Sequence, residues 1–158
     1  MGRRTAWLRC VVVLALTATL VLGAFVAPAS AGTGYRARVL RMVNATRAKH
    51  DLRKLRIDQS FTRDAMRHTR RMVRRNVLYD PPNLSRMLRD EPWRRIGSSV
   101  VGCADTLFRL HRAFLHHAAH RVIILDPRLR RIGIGVIKVS KKNICGRGSF
   151  WVTELFYG

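Results

Sequence analysis

The stretch FLHHAAHRVIILDP, residues 114–127, concentrates histidines that could perform chemistry. His116 and His120 lie four positions apart, the spacing at which two imidazoles on one helix ligate zinc in the HExxH motif. That motif has a glutamate as general base where this chain has His117, and no downstream histidine or glutamate has the spacing of a third zinc ligand. Zinc peptidase chemistry is therefore disfavoured. We expect His116 and His117 to be solvated at a helix end, where imidazolium charge complements the helix dipole.

The first 31 residues have the pattern of a secretory signal peptide. Three arginines precede a continuous apolar run over residues 10–26, and Ala29 and Ala31 provide small residues for cleavage. We expect cleavage after Ala31, by the Sec or the twin-arginine route, and one secreted domain over residues 32–158 without a transmembrane segment. The alternative is a retained membrane anchor, because about 17 apolar residues approach the length that spans a bilayer.

The chain that remains after this cleavage is strongly basic. Of the 31 lysines and arginines, three lie in the first 31 residues, so 28 remain against nine acidic residues, a net charge of about +19. Such a charge predicts attraction to polyanions, among them teichoic acids, acidic polysaccharides and anionic lipids. Specific nucleic-acid recognition is disfavoured, because the sequence has neither an aromatic stacking platform nor a recognisable reading helix. We therefore expect an anionic cell-envelope polymer or lipid as the partner.

Two cysteines remain once the signal peptide is removed. Cys10 leaves with the apolar run, and Cys103 and Cys145 form an even pair in an oxidising compartment. We expect a disulfide between them, worth on the order of 3 to 4 kcal/mol in the chain-entropy model. The alternative is two free thiols.

The hydrophobic periodicity predicts helices first and strands last. The predicted helices cover residues 35–50, 61–76 and 107–117, and the predicted strands cover residues 93–102, 131–139 and 149–157. Ser60 is the expected cap of the second helix, and Asp105 or Thr106 that of the third. This order indicates an α+β domain with helices packed on an antiparallel sheet, which we expect to be a monomer.

Five stretches follow one another with the order and spacing of a family signature: VLRMVNATRAKHDLRKLRID, FTRDAMRHTRRM, WRRIGSSV, AFLHHAAHRVIILDPRLRRIGIGV and WVTELF. They resemble a secreted bacterial member of the CAP superfamily, which joins cysteine-rich secretory proteins, antigen five and plant pathogenesis-related proteins. The resemblance runs from Arg38 to Phe156 and is strongest between Phe114 and Val136. It implies a three-layer α-β-α sandwich. It also implies a cleft with two histidines and one or two acidic residues, which often holds a divalent cation.

The resemblance places the family's cleft on an incomplete set of residues. The second family histidine matches His120, while Asp80 of YDPPNL stands where the first usually lies. Ser98 and Ser99 stand in place of a glutamate and an asparagine, and His116 or His117 lies near the position of the second acid. Only one of the usual cleft residues is therefore retained, which implies a degenerate cleft.

Two functions follow from these observations. The first is an exported CAP-domain protein that binds anionic polymer or lipid without catalytic turnover or a cofactor. The alternative is a metal-dependent hydrolase in which His120 and Asp80 hold a divalent cation such as zinc. A nucleophilic set of Ser98 or Ser99 with His120 and Asp80 is disfavoured, because the sequence has no G-x-S-x-G elbow.

Overall fold

The structure is a computed structural model that describes residues 31–87 and 97–158. The predicted signal peptide, apart from Ala31, lies outside the described residues. The helices are α1 (Ala31–Ala48), α2 (Gln59–Arg75), α3 (Leu84–Met87), α4 (Leu107–His116) and α5 (Ala118–Ile124). The strands are β1 (Arg56–Ile57), β2 (Gly97–Ala104), β3 (Arg131–Val139) and β4 (Ser149–Tyr157). No helix within the described ranges is both long and apolar enough to cross a membrane.

The strands form one sheet in the order β1-β3-β4-β2, so that β1 and β2 are its two edges. β4 pairs antiparallel with β2 and with β3, as the predicted antiparallel sheet requires. β1 adds a short parallel pair with β3, in which Arg56 lies opposite Arg131 and Ile57 opposite Ile132. β1 lies between the first two predicted helices, where the sequence analysis predicted no strand.

Helices cover both faces of the sheet, which confirms the predicted α+β sandwich. On one face α1, α4 and α5 bury the larger apolar core, which includes Val39, Val43, Leu110, Phe114, Ile124, Ile134, Val152 and Phe156. On the other face α2 covers a smaller cluster of Phe61, Ala65, Leu155 and Tyr157. The sandwich therefore leaves the two sheet edges as the places where polar groups from different elements meet.

Two glycines of β3 let α2 lie close against the sheet. A Cβ at Gly133 would collide with the backbone of Phe61, and one at Gly135 with the backbone of Ala65. Any larger residue at either position would push the helix away from the strand, and the apolar contacts beneath α2 would loosen. The two glycines of RIGIG are thus required for α2 to pack closely against β3.

The cap of α2 differs from the predicted one. Asp58, rather than Ser60, is the N-cap, and its carboxylate accepts from the backbone N–H of Phe61 at 3.0 Å. The Ser60 hydroxyl donates to the same carboxylate at 2.6 Å. A full negative charge at a helix N-terminus complements the dipole better than a hydroxyl does. In α4 the prediction of Thr106 is confirmed, because its side-chain oxygen accepts from the backbone N–H of Arg109 at 3.1 Å.

Different interactions hold the two edges of the sheet in place. At β2, Cys103 forms the predicted disulfide with Cys145 of the β3–β4 connection, with the two Cα atoms 5.9 Å apart. Near β1, the fully buried Arg47 of α1 fastens the chain through backbone carbonyls. Its guanidinium donates to the carbonyl oxygens of Arg53 at 2.9 Å, Ile124 at 2.8 Å and Asp126 at 3.0 Å.

Candidate functional site

Asp80 lies at the β2 edge next to Tyr79, which is held in place by two contacts with His68. The imidazole Nε2 of the buried His68 lies 2.8 Å from the carbonyl oxygen of Tyr79 and must donate to it, since a carbonyl oxygen only accepts. The two rings meet edge to face, with centroids 4.8 Å apart. Burial lowers the pKa of His68, outweighing this hydrogen bond, so the ring is a neutral donor. The Ser99 hydroxyl then donates to the Asp80 carboxylate at 3.2 Å.

His117 and His120 approach the same edge strand from α5, which contacts β2. Their ring centroids lie 4.5 Å apart, and Phe114 meets the His120 ring edge to face at 5.2 Å. Burial lowers the pKa of His120, the nearby His117 lowers it further, and the charge of Asp80 opposes both. We call the group formed by Asp80, Ser99, His117 and His120 the β2 cleft.

The helix break at His117 changes the meaning of the histidine spacing. α4 ends at His116 and α5 begins at Ala118, while His117 between them has extended backbone angles. His116 and His120 therefore do not share one helical face, which removes the geometric basis of an HExxH-like pair. The predicted exposure of His116 and His117 is confirmed.

The two serines do not act together, because neighbouring strand residues face opposite sides of a sheet. Ser98 pairs with Phe156 and shares its face, on the side of the larger core. Ser99 pairs with Leu155 on the α2 side, where it meets Asp80. Within the described ranges no hydrogen bond joins either serine to His120. A serine–histidine–acid relay needs that bond, so the geometry does not supply one.

The donors at this edge do not fit the divalent cation that the family resemblance implies. Among the residues described by the structure, no three side chains of His, Cys, Asp or Glu converge as a metal site. His117 and His120 contact each other, whereas Asp80 is bonded to Ser99. A transition-metal site requires at least three protein ligands held in fixed geometry.

A buried acid in β4, the strand that pairs with β2, was missed by the sequence analysis. Glu154 is 1% exposed, and its Oε2 has no hydrogen-bond partner. Its register neighbours Val100 and Ile134 share its face and belong to the larger apolar core. Burial raises the pKa of Glu154 to about 8, so it is mainly protonated at neutral pH. The sequence signal that could have indicated this buried residue is an acid within the mostly apolar stretch WVTELF.

The opposite edge of the sheet carries a concavity of about 740 Å³ that the sequence analysis also missed. We call it the basic pocket; its lining residues are Asn44, Arg53, Lys54, Leu55, Arg56, Arg130 and Arg131. The cations come from two segments that are distant in the chain, DLRKLRID and DPRLRRIG. The parallel pairing of β1 with β3 brings them together.

The model of the cysteine-rich secretory protein family, CAP, matches residues 40–155. With this match, the α-β-α sandwich and the β2 cleft, the chain belongs to the CAP family, as the sequence motifs indicated. It is 25% identical over 138 residues to YkwD, an uncharacterized protein of Bacillus subtilis (strain 168). That alignment covers 84% of this chain and 50% of YkwD, so the chain spans half the length of this curated relative.

Solved structures show the same fold at low sequence identity. An outer surface protein of Borrelia burgdorferi matches with a TM-score of 0.63 and 15% identity, over 77% of this chain and 90% of that one. An extracellular SCP-domain protein of Bacillus anthracis matches with a TM-score of 0.61 and 20% identity, over 80% and 41%. A cysteine-rich secretory protein of Staphylococcus aureus gives 0.63 and 16%, over 81% and 40%. These likenesses establish the fold alone.

Proposed function

We propose that this chain is an exported CAP-domain protein that binds anionic polymer or anionic lipid of the cell envelope without catalytic turnover. The proposal rests on one observation: the protein's own carboxylates do not neutralise most of its positive charge. Asp64, Asp105 and Asp126 form ion pairs with Arg67, Arg109 and Arg128, which are close in sequence. Asp58 caps a helix and Glu154 is buried. Among the described residues, most of the remaining cations are exposed and form no ion pair with a carboxylate.

The contacts of the β2 cleft do not favour hydrolysis. Hydrolysis by general base catalysis needs a basic group within reach of a water and a second group that orients it. Here the Asp80 carboxylate accepts from Ser99, and the half-buried His120 contacts His117 and Phe114. Neither contact activates a nucleophile, so the proposed role does not depend on turnover at this edge.

Co-sedimentation with vesicles and with a glycerol-phosphate polymer tests the proposed function. We expect the purified chain to bind phosphatidylglycerol vesicles or the polymer at about 0.05 M salt and to be released at about 0.5 M, because exposed charges are screened. Phosphatidylcholine vesicles are the matched neutral surface and should retain little protein. Retention that is equal on both surfaces, or insensitive to salt, would contradict the proposal.

A metal analysis separates this function from that of a metal-dependent hydrolase. We expect purified protein that has been exposed to zinc and then desalted to hold less than stoichiometric metal. His120→Ala tests the predicted ligand, and His116→Ala is the control for loss of an exposed imidazole in the same segment. One equivalent of zinc that is lost in His120→Ala but kept in His116→Ala would establish the hydrolase alternative as the better proposal.

Export is also part of the proposal and has its own test. We expect protein recovered from the medium to begin at Gly32, because the predicted cleavage follows Ala31. Mass spectrometry of the intact exported protein measures this directly. Protein that stays with the membrane and keeps its first 31 residues would favour the anchor instead.

A further inference from the structure

The basic pocket places like charges side by side without any carboxylate between them. Arg56 and Arg131 are direct partners across β1 and β3, so both side chains lie on the same face of the sheet, and both are exposed. Like charges directly opposite each other on neighbouring strands repel. A bound anion would convert this repulsion into two attractive contacts.

Three further cations line the same concavity: Arg53, Lys54 and Arg130. The lining contains no acidic residue, and no ion pair among the described residues includes any of the five cations. Five positive charges around one concavity of about 740 Å³ produce a local field that favours an anion with more than one negative charge.

The wall of the pocket is held in place by hydrogen bonds to the backbone. The Asn44 amide donates to the Leu55 carbonyl at 3.0 Å, and its side-chain oxygen accepts from the Leu55 N–H at 2.8 Å. Arg130 donates through Nη1 to the carbonyl oxygens of Pro127 at 2.5 Å and Leu129 at 2.9 Å. Anchored donors lose less conformational freedom when a ligand binds.

The buried Arg47 adds positive charge close to the pocket. It donates to the Arg53 carbonyl, next to the lining residue Lys54. Burial first and the charge of Arg130 second lower the pKa of Arg47, while the charge of Asp126 raises it.

We propose that the basic pocket is a phosphate-binding site, in which Arg56 and Arg131 hold the phosphate oxygens and Arg53, Lys54 and Arg130 surround them. Phosphate matches these residues because planar guanidinium groups bind its oxygens in bidentate fashion and because successive phosphates carry several charges. This inference rests on the proposed function and specifies where the anionic polymer or lipid headgroup is bound.

Calorimetric titration with pyrophosphate tests the pocket with a small probe. The pocket variant is Arg56→Gln with Arg131→Gln, and the matched control is Arg38→Gln with Arg74→Gln, which removes two exposed arginines of α1 and α2 outside the pocket. We expect the affinity of the pocket variant to fall about tenfold or more, while that of the control changes less than about twofold. Thermal unfolding should show that both variants remain folded.

Three outcomes would overturn the pocket assignment. The first is an equal loss of affinity in the two variants, because the binding would then depend on total charge. The second is the lack of pyrophosphate binding by the unaltered chain at low salt. The third is equally tight binding of citrate, because a tricarboxylate of similar charge would then serve as well as phosphate.

Co-sedimentation with the same variants distinguishes a polymer phosphate from a lipid headgroup. It also distinguishes a failure of the pocket assignment from a failure of the proposed envelope function. A loss of polymer binding alone in the pocket variant identifies a polymer phosphate, and a loss of vesicle binding alone identifies a lipid headgroup. If polymer and vesicles bind the pocket variant as well as the control, the proposed function stands and the pocket assignment fails. If neither binds any variant although pyrophosphate binds the pocket, the pocket stands and the envelope function fails.

Discussion

The two edges of the sheet differ in how they are built and in the charges that they carry. β2 pairs with β4 over eight residues and is tied down by the disulfide, yet its polar side chains are mostly paired or neutral. β1 has only two residues, and the basic pocket beside it carries five cations without a carboxylate. The position that the sequence resemblance assigns to the family's cleft is thus at the edge with the longer strand, while the basic pocket is at the edge with the shorter strand.

This difference shows that a position assigned by family resemblance and the chemistry of a particular chain need not coincide. The resemblance assigns a cleft to β2, whatever residues the chain carries there. Electrostatic binding depends instead on where cations accumulate without partners. The following predictions test whether the two edges are independent.

The largest expected effect is on the β2 edge. Cys103→Ser with Cys145→Ser should lower the free energy of unfolding by about 4 kcal/mol, because the bridge closes a loop of 42 residues in the unfolded chain. Denaturant unfolding measures this loss, and reduction of the unaltered chain should reproduce it. Under conditions where the variant is folded, pyrophosphate affinity should be unchanged. A loss of binding at the basic pocket would show that the edges are coupled.

A smaller loss of stability is expected when the hydrogen bonds of Arg47 near the β1 edge are removed. Arg47→Met should destabilise the protein by about 3 kcal/mol, because buried carbonyl oxygens lose their donors. Arg41→Met, at an exposed position of the same helix, should change stability by less than about 0.5 kcal/mol. Hydrogen exchange of the Asp58 amide, which donates to Ile132, should accelerate only in the first variant. Equal stability of the two variants would contradict this role.

Glu154 lies in the strand between the edges and should affect stability without affecting either site. Its raised pKa means that the folded state holds a proton that the unfolded state releases above its own pKa. The contribution of Glu154 to stability should therefore be greatest below the ordinary glutamate pKa and decrease as pH rises towards about 8. Glu154→Gln should stabilise the protein by roughly 2 kcal/mol at neutral pH and much less near pH 5, allowing for the burial of the amide. A pH-independent difference would contradict the buried, protonated acid.

The smallest expected effect concerns electrostatics within the β2 cleft. Asp80→Asn should lower the pKa of His120 further, because the negative charge of Asp80 opposes the lowering by burial and by His117. NMR titration of the imidazole measures the shift, and Asp64→Asn on α2 is the control. Stability should fall by less than about 1 kcal/mol, since the bond from Ser99 is exposed. An unchanged His120 pKa would show that the two halves of the cleft do not interact.

Much of the architecture could be predicted from local patterns in the sequence. Helix periodicity, the terminal hairpin, the Thr106 cap and the pairing of Cys103 with Cys145 follow from residue types at short range or from counting. The same motifs indicated the CAP family and assigned Asp80, Ser99 and His120 to its cleft. The predicted cap at Ser60 was wrong, because a charged residue two positions earlier competes more strongly for the same N–H groups.

The sequence by itself determined the fold class, the family and the overall excess of positive charge. Only the tertiary structure decided that the helix breaks at His117, that Ser98 and Ser99 face opposite sides, and that Glu154 is buried without a partner for Oε2. It also decided that Arg56 meets Arg131 across a parallel pair. The physical reason is that charge and hydrogen-bonding energies depend on distances between residues far apart in the chain, which packing alone sets.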